Sequence, residues 1–481
     1  MDLNKLYENQ CCRQKPKGIL SGSAVFEKIN KLQNIRPCID ILLKISSDKE
    51  IYLVGGALRD ILLGYTPADF DFVVSGSGIK FAQRFAKETR GALVVLSLED
   101  DEARVVINKD LIFDFNGLNT RTLAEDLYRR DFTINALALS LKNPRRIIDE
   151  FEGIKHLKAR LIVPVSEQSL ELDPLRILRA FRLALMLKFR IDKKLINMAT
   201  RINLSVIAPE RISYEFLKIT ENEQSFFYIK LMYRLGLLQQ IFPLARKLFD
   251  DPVLTHHSLR TYKKIEEVLV KNSFFDKFPE EKANYFKDFP YRKALLKISG
   301  LFHDIGKPDT QFFTSEGDVH FYGHDNLGAK FVAQIGRENL RLSRRQIQML
   351  KNLVLYHMRL HLLATAPMLT DRAIRRFFRD VGEEYFGLMI LTYADGYATA
   401  GRTDHLEKTI ERMIALKRAD EAKKRVVRLI TGDDLISWGY RPGPIFKVIL
   451  QELEDLQLEG KIKTKEEGYE YVKTHYPVTA Q

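Results

Sequence analysis

The stretch Ile51–Ser75 reads IYLVGGALRDILLGYTPADFDFVVS and alternates between two kinds of segment. Residues 51–54 and 70–74 are apolar and β-branched, which predicts two strands. Between them, residues 57–63 have the composition of a short helix that ends at Gly64. A strand, a glycine pair, a helix and a second strand in this order predict a small mixed sheet with helices packed on it.

Two carboxylates lie where the second of these strands begins. Asp69 and Asp71 are separated by one residue, and residues i and i+2 of a strand point to the same side. Paired carboxylate oxygens suit Mg²⁺, which takes its remaining ligands from waters and substrate phosphates. Gly55 and Gly56 have no Cβ, so backbone N–H groups can approach a triphosphate closely there. The stretch therefore predicts a nucleotide site with Asp69 and Asp71 as catalytic metal ligands.

The composition is that of a globular chain with several domains. Its 481 residues exceed the ~250–300 residues of a single core, and its net charge of +13 favours a polyanionic partner. After the sheet strands predicted over 92–98, 103–107 and 111–115, we expect almost everything beyond Thr122 to be helical. The predicted parts are a helical lead-in over 1–45, an α/β head over 46–145, a helical neck over 146–245, a third domain over 246–400 and a helical tail over 401–481.

Cysteine usage and hydropathy predict a cytoplasmic protein. The three cysteines (Cys11, Cys12 and Cys38) have no metal-ligand spacing, and an adjacent pair is a poor candidate for a structural disulfide. The longest apolar stretches contain charged residues, so no membrane-spanning segment is expected.

Two further residues are candidates for the site around Asp69 and Asp71. Asp114, on the strand predicted over 111–115, would add a third carboxylate to the metal ligands, although an ordinary strand-end aspartate is an equal alternative. Arg59 follows the glycine pair, where a guanidinium can bind phosphate oxygens. The alternative for Arg59 is an ion pair with the neighbouring Asp60.

A second candidate segment begins at Arg129. Arg130 and Asp131 are expected to open a helix, which would bring Asn135 to the same face as Asp131, four residues earlier. The carboxylate and the amide would bind ribose hydroxyls, and Arg130 would bind phosphate. A capping aspartate with solvated arginines is the alternative.

Asp173 and Arg176 are expected to project together from the start of a helix. Cytosine and adenine both present an amino donor beside a ring-nitrogen acceptor, which suits a carboxylate beside a guanidinium. Guanine and uracil present the reverse pattern and would be rejected without a template. Arg179 and Arg182 continue the same row and are candidates for the triphosphate; an arginine-rich helix with surface ion pairs is the alternative.

These segments resemble the motifs of the tRNA nucleotidyltransferase and bacterial poly(A) polymerase family, within the polymerase-β-like nucleotidyltransferases. The resemblance covers roughly residues 50–220 in the family's order, and it includes connector and post-base motifs at 148–157 and 209–215. It implies template-independent addition of C, A or both to the 3′ end of tRNA, with CTP and ATP as substrates. Poly(A) polymerase is the alternative within this class.

The sequence departs from that family in two places. Leu172 precedes Asp173 where the family usually has Glu, which affects the support of the aspartate. Only residues 116–122 separate the last head strand from the next helix. Members that add the whole CCA triplet usually have a longer mobile segment there, so the short connection favours an enzyme that adds CC.

The histidines predict a second metal site of a different kind. Seven of the ten histidines lie between His256 and His361, and the doublet His303-Asp304 is expected on a helix. The order of these residues is similar to that of the HD phosphohydrolase superfamily. The resemblance implies a transition metal such as Ni²⁺, Mn²⁺, Fe or Zn²⁺, with these ligands: His257, His303, Asp304, His324, His357 and Asp395. It leaves open a phosphohydrolase whose head only binds RNA.

Overall fold

The computed structural model describes residues 20–32, 35–67, 69–109, 111–118, 121–423 and 429–477. Of the predicted helical lead-in, residues 1–19 lie outside this description, and two helices follow, α1 (Gly22–Asn30) and α2 (Arg36–Ser46). The chain divides into two compact units, one up to Leu355 and one from Tyr356. The finer domain boundaries stay predictions.

One mixed sheet of seven strands organises the head. In the sheet the order is β3-β4-β5-β2-β1-β6-β7, and only the β2–β5 pair is parallel. The strands are β1 (Ile51–Val54), β2 (Asp69–Val74), β3 (Ala92–Ser97), β4 (Glu102–Asn108), β5 (Leu111–Gly117), β6 (Ala138–Ser140) and β7 (Ile147–Ile148). The predicted α/β head and its first five strands are confirmed.

Helices α3 (Gly55–Leu63) and α4 (Gly78–Thr89) belong to the head with this sheet. Aromatic rings of β2 and β5 stack in pairs, with centroids 5.5 Å apart for Phe70–Phe113 and 5.6 Å apart for Phe72–Phe115. Burial of each ring stabilises the folded state by roughly 1.5–3 kcal/mol. Because side chains alternate along a strand, these rings leave the opposite face of β2 and β5 to their polar neighbours.

The prediction of a helix that opens at Arg130 and Asp131 is wrong. The helix α5 (Leu123–Tyr128) ends before it, a 3₁₀ turn occupies Thr133–Asn135, and β6 then pairs antiparallel with β1. Residues 134–139 are all buried. A short, fully buried apolar run has the same appearance in a buried helix and a central strand, so periodicity did not distinguish them.

The rest of the first unit is helical, as predicted, apart from the small strand pairs β8–β9 (parallel) and β10–β11 (antiparallel). These strands are β8 (Leu161–Ile162), β9 (Arg190–Ile191), β10 (Phe312–Phe313) and β11 (Val319–His320). The helices that begin in this unit are α6 (Gly153–Ala159), α7 (Gln168–Leu172), α8 (Arg176–Leu187), α9 (Lys193–Ala199), α10 (Pro209–Glu221), α11 (Phe226–Arg234), α12 (Leu237–Ile241), α13 (Arg246–Asp250), α14 (Pro252–Val270), α15 (Pro279–Phe286), α16 (Arg292–Phe302), α17 (Lys307–Thr310), α18 (His324–Glu338) and α19 (Arg344–Ala364).

The second unit is also helical in its described residues. Its further helices are α20 (Asp371–Val381), α21 (Tyr385–Ala400), α22 (Asp404–Lys423), α23 (Gly432–Ser437), α24 (Pro444–Leu458) and α25 (Lys465–His475). The tail has its own buried cluster, which includes Leu435, Ile449 and Val472. Throughout the ranges given above, no helix combines the length and the apolar character that crossing a membrane requires.

Candidate active site and candidate metal cluster

Three carboxylates lie on the neighbouring strands β2 and β5. Asp69 is exposed, Asp71 is half-buried, and Asp71 is the direct partner of Asp114 in the parallel pairing. Asp114 accepts two hydrogen bonds of 2.8 Å from the guanidinium of Arg104 on β4. Asp114 is therefore neutralised within the sheet, whereas Asp69 and Asp71 extend the carboxylate row toward the start of β2.

The electrostatics of this row fit a divalent cation. Burial raises the pKa of Asp71, and the neighbouring Asp114 and Asp69 raise it further, while Arg130 lowers it. Like charges on hard oxygen donors repel each other, and a bound cation removes that repulsion. The donor set is thus suited to a divalent metal.

Gly55 is required by the backbone and by its neighbours. It has φ +70, and a Cβ on it would lie 2.6 Å from Asp71 Oδ2 and 3.0 Å from Arg130 Nη1. A Cβ on Gly56 would meet nothing closer than Arg59 Nη2, at 3.5 Å. Of the two predicted glycines, Gly55 is the one whose missing side chain makes room for the carboxylate.

Four of the predicted nucleotide ligands form one hydrogen-bonded network. Arg59 donates to Asp60 (2.8 Å) and to Asn135 Oδ1 (2.7 Å), so the alternative ion pair with Asp60 is present. Asn135 Nδ2 donates to Asp131 Oδ1 over 2.9 Å. Asp131 Oδ2 accepts two hydrogen bonds from Arg179, of 3.0 and 2.7 Å. The contact between Asp131 and Asn135 therefore exists, although no α-helix produces it.

Asp131 is charged in this network. Burial alone would raise the pKa of Asp131, but Arg179 and the hydrogen bond from Asn135 bring it below its usual range. The charge of Asp131 in turn raises the pKa of Arg179. The pair is a fixed ionic element next to Arg130, whose guanidinium donates to Asp126 Oδ2 over 3.2 and 3.1 Å.

Asp173 and Arg176 do not open one helix together, which corrects that prediction. Asp173 follows α7 in an extended conformation, a turn occupies Pro174 and Leu175, and α8 begins at Arg176. Asp173 Oδ2 accepts from Arg211 over 2.9 Å. Arg176 donates to the carbonyls of Arg129 (2.7 Å) and Arg130 (3.0 Å), which ties α8 to the segment after α5.

Arg182, the last arginine of the predicted row, lies beside a buried carboxylate. Its Nε donates to Glu215 Oε2 over 2.6 Å, and the side chain of Glu215 is 2% exposed. Glu215 is carried by α10, so this ion pair joins α8 to α10. The role of Arg182 toward a triphosphate stays a prediction.

A cluster of imidazoles lies in the first unit, where helices end or begin. His257 on α14 and His303 bring their Nε2 atoms to 3.1 Å. Asp304 Oδ2 is 3.4 Å from His303 Nε2 and 3.6 Å from His257 Nε2. The doublet His303-Asp304 follows the end of α16 at Phe302, whereas the sequence suggested a place within a helix. His324 begins α18 with its Nε2 3.7 Å from Asp304 Oδ1.

Backbone carbonyls hold two of these rings in place. His303 Nδ1 lies 3.0 Å from Gly300 O, and His324 Nδ1 lies 2.7 Å from Phe321 O. A carbonyl only accepts, so each Nδ1 donates to it, and Nε2 is the ring atom on the side of Asp304. This second hydrogen bond is the usual support of a metal-binding histidine, and the donor set fits a divalent metal.

The two remaining predicted ligands belong to the second unit. His357 is buried, and its carbonyl accepts from Thr392 Oγ1 over 3.2 Å. Asp395 Oδ2 lies 2.8 Å from the Nε2 of His361, a residue that the sequence analysis did not select. His361 is one helical turn after His357, and that spacing was the available signal. The metal-ligand roles of His357 and Asp395 stay predictions.

The chain matches three known protein families in consecutive segments. These are the Poly A polymerase head domain (residues 51–163), the probable RNA and SrmB-binding site of polymerase A (189–248) and the HD domain (254–400). A CC-adding tRNA nucleotidyltransferase of Thermus thermophilus is 29% identical over 435 residues, which cover 87% of this chain and 92% of the relative. An A-adding tRNA nucleotidyltransferase of Deinococcus radiodurans is 29% identical over 438 residues, or 87% of this chain and 94% of the relative.

Solved structures agree in fold. A CCA-adding enzyme with ATP has a TM-score of 0.68 at 22% identity and covers 95% of this chain and 99% of its own. The CCA-adding enzyme of Thermotoga maritima complexed with tRNA has a TM-score of 0.65 at 21% identity, with the same two coverages. The mixed-sheet head, the helical body and the HD segment define the class: this chain is a nucleotidyltransferase. Its head and RNA-binding segments match the models of poly(A) polymerases, its relatives of similar length are tRNA nucleotidyltransferases, and residues 254–400 match an HD domain.

Proposed function

We propose that this chain adds C, A or both to the 3′ end of tRNA without a template, using CTP and ATP. The observation that carries the proposal is the row of carboxylates on β2 and β5 beside Gly55, in a head of the poly(A) polymerase type. The names of the relatives, CC-adding and A-adding tRNA nucleotidyltransferase, supply the acceptor and the nucleotides. The net charge of +13 suits an RNA substrate, and the cytoplasm is the compartment we propose.

Asp69 and Asp71 would hold Mg²⁺ in the head. When bound, the metal would help activate the RNA 3′-hydroxyl and neutralise the departing pyrophosphate. The arginines contribute positive charge around it: Arg130 approaches Asp71 and Gly55, and Arg59 is held in place by Asp60 and Asn135. Asp131 and Asn135 would position the ribose.

Asp173 and Arg176 would select the base. In the structure Asp173 pairs with Arg211, and the side chain of Arg211 is 51% exposed. An ion pair this exposed is worth about 0–1 kcal/mol, whereas a correct base edge is worth about 1–3 kcal/mol. Cytosine or adenine would therefore displace Arg211 from the carboxylate, and the base amino group would take its place.

The short connection after β5 favours CC addition within this function. β5 ends at Gly117 and α5 begins at Leu123, which leaves five residues (118–122) between them. The relatives include both a CC-adding and an A-adding enzyme at the same identity of 29%, so the comparison itself does not choose between them. Complete CCA addition and poly(A) synthesis are the competing outcomes.

A metal-dependent phosphohydrolase is a second activity that a specific observation favours. His257, His303 and Asp304 offer ligand atoms that all lie within 4.8 Å of one another, and the ring of His303 is oriented by Gly300. A bound Ni²⁺ or Mn²⁺ would act there as a Lewis acid toward phosphate esters. This site would act independently of the head.

The decisive experiment sequences RNA ends. Two tRNAs, one that lacks its CCA end and one that ends in CC, are each incubated with CTP, with ATP, and with both nucleotides, and the new 3′ ends are read. CC addition is supported if the tRNA that lacks its CCA end gains CC in both reactions that contain CTP and gains no A afterwards. A terminal CCA, a single A on a CC end, or a long A tract would assign one of the alternatives. No addition to any RNA would refute the proposed transferase function.

A further inference from the structure

A cavity in the first unit contains none of the candidate ligands of the incoming nucleotide. Its volume is about 510 Å³, and it is lined by α5 and adjacent residues, namely Arg121, Ala124, Glu125, Tyr128, Arg129 and Phe151. This volume lies within the range of ~300–1,000 Å³ that is usual for ligand sites.

Two aromatic rings form part of the wall. Tyr128 is 45% exposed, and its ring centroid is 6.0 Å from that of the half-buried Phe151, with 48° between the planes. Phe151 packs against a buried cluster that includes Leu127, so its position is fixed. Tyr128 is held by a hydrogen bond from its hydroxyl to Gln168 Oε1, of 3.2 Å. A partly exposed ring next to open space is a surface on which a base can stack.

The charges around the cavity favour a phosphate. Arg121 and Arg129 supply two positive charges, and Glu125 is the acidic residue of the lining. Glu125 Oε2 accepts from the backbone N–H (2.6 Å) and the hydroxyl (3.0 Å) of Thr122 in a helix cap. Its charge is thus used at the start of α5, and the cavity keeps a positive balance.

Two residues of the cavity wall contact segments that carry candidate nucleotide ligands. Arg129, in the lining, accepts from Arg176 through its carbonyl over 2.7 Å, and the next residue is Arg130. Gln168, the partner of Tyr128, begins the helix α7, which ends next to Asp173. A molecule in the cavity would therefore lie beside the candidate nucleotide ligands and not on top of them.

We propose that this cavity binds an unpaired nucleotide at the 3′ end of the tRNA. Tyr128 and Phe151 would stack on its base, and Arg121 and Arg129 would bind the adjoining phosphates. Nucleotidyl transfer needs two substrates in one site, and a second pocket with aromatic and guanidinium groups suits the RNA end. Tyr128 is a positioning residue in this role. The inference rests on the proposed function, since it names the subsite for the second substrate.

Equilibrium binding tests this subsite without depending on turnover. Two RNAs are compared: a tRNA that ends at its unpaired 3′ nucleotide, and the same tRNA shortened by that nucleotide. Tyr128→Ala should weaken binding of the longer RNA about tenfold and of the shorter one by less than about twofold. Tyr128→Phe keeps the ring and should bind both RNAs as the wild type does. Gln168→Ala serves as a control for the lost hydrogen bond.

Kinetics separate a positioning role from a structural one. Tyr128→Ala should raise the KM for tRNA about tenfold and leave the KM for CTP unchanged. Arg121→Ala should reduce the salt dependence of tRNA binding by about one phosphate contact. Equal losses for both RNAs, no loss for either, or a raised KM for CTP would overturn the subsite. Wild-type protein that adds no nucleotide would refute the proposed function, while the binding difference would still decide on the cavity.

Discussion

The carboxylate row of the head and the imidazole cluster of the HD segment bring metal-donor atoms together in two different ways. In the head, Asp69 and Asp71 come from one strand and Asp114 from its neighbour, in register. In the HD segment, His257 lies on α14 while His303 and Asp304 follow α16. A sheet places donors by local spacing, whereas helix ends place them only after distant parts of the chain have packed.

The two sites also control their donors differently. The head surrounds its carboxylates with guanidinium groups, such as Arg104 on Asp114 and Arg130 beside Asp71. In the HD segment, a backbone carbonyl orients the ring of His303. The head is therefore suited to hard cations and phosphates, and the HD cluster to a softer divalent metal. A change at one site should therefore leave the activity of the other site intact.

Asp71→Asn should have the largest effect. It removes a charged oxygen from the row while keeping the shape, so nucleotide addition should fall at least about 10³-fold. tRNA binding and hydrolysis of 2′,3′-cAMP should persist. The control is the exposed Asp100→Asn, and Asp114→Asn is the informative comparison, because Arg104 already neutralises Asp114. Near-normal turnover of the Asp71 variant would remove Asp71 from the metal site.

His303→Ala should impair the HD site and leave the head intact. Metal binding by the HD segment and hydrolysis of 2′,3′-cAMP should fall at least about 10²-fold, since the variant loses a ligand atom. Addition of CMP and AMP should be unchanged. Metal content by elemental analysis, with Ni²⁺ or Mn²⁺ supplied, is the first readout.

The matched control for that variant is His256→Ala. His256 is exposed and next in sequence to His257, yet only His257 has its Nε2 near His303. The His256 variant should keep its metal. A folded His303 variant that no longer adds nucleotides would show that the two sites do not act separately.

The sequence predicted the parts of the molecule that depend on local spacing. The strands over 51–54 and 92–97 follow from β-rich runs, and the proximity of Asp71 to Asp114 follows once those strands pair. The 3₁₀ turn at Thr133–Asn135 and strand β6 did not follow, because a buried apolar run carries no period that separates helix from strand.

Partners that are distant in sequence were also missed. Arg211 on Asp173 and Glu215 on Arg182 depend on how α10 packs against α8, and no local pattern encodes that packing. The sequence indicated Asp173 and Arg182 as candidates only from their residue types and their spacing. Only the fold shows that Arg182 is bound to a buried carboxylate within the chain.

Gly55→Ala and Gly56→Ala test how tightly the head row is placed. At Gly55 a Cβ would lie 2.6 Å from Asp71 Oδ2, so the carboxylate must move; at Gly56 the nearest atom is 3.5 Å away. A displacement of about 1 Å costs on the order of 10²-fold in rate. Addition should therefore fall about 10²-fold for Gly55→Ala and much less for Gly56→Ala, with HD hydrolysis unchanged in both. Equal effects at the two positions would contradict the special role of Gly55.

A buried lysine links the two helices that lead to the HD cluster. Lys297 on α16 is 1% exposed, donates to Ser225 Oγ (2.8 Å) and lies 3.4 Å from Glu266 Oε2 on α14. Burial lowers the pKa of Lys297 from 10.5 to about 8, against the opposing effect of Glu266. Between these two pH values the unfolded chain binds more protons on this lysine than the folded chain does. The free energy of unfolding should thus rise with pH across that window, by up to about 3 kcal/mol.

Denaturant unfolding at pH 8, 9 and 10 measures this rise. Lys297→Met should remove it, and Lys293→Met, one turn earlier on the same helix, should retain it. Burial also raises the pKa of Tyr262 above its ordinary value of 10. The measurements therefore end at pH 10, where this tyrosine begins to lose its proton in the unfolded chain but not in the folded one. The unfolding experiment reports on the helices of the HD cluster, and nucleotide addition by folded protein should not change. An identical rise in the Lys297 variant would assign the slope to other groups.

The smallest effect concerns which base the head accepts. Asp173→Ala removes the acceptor for the amino group of cytosine or adenine, and discrimination against UTP and GTP should fall about tenfold. Arg211→Ala is the matched control, because it releases the same carboxylate from its ion pair and leaves the acceptor intact. That variant should keep its discrimination and bind CTP at least as well as the wild type. Misincorporation is measured by sequencing 3′ ends after reactions with each single nucleotide. If Asp173→Ala lowers only the thermal stability, Asp173 serves to hold α7 and α10 together through Arg211, and another residue of the head selects the base.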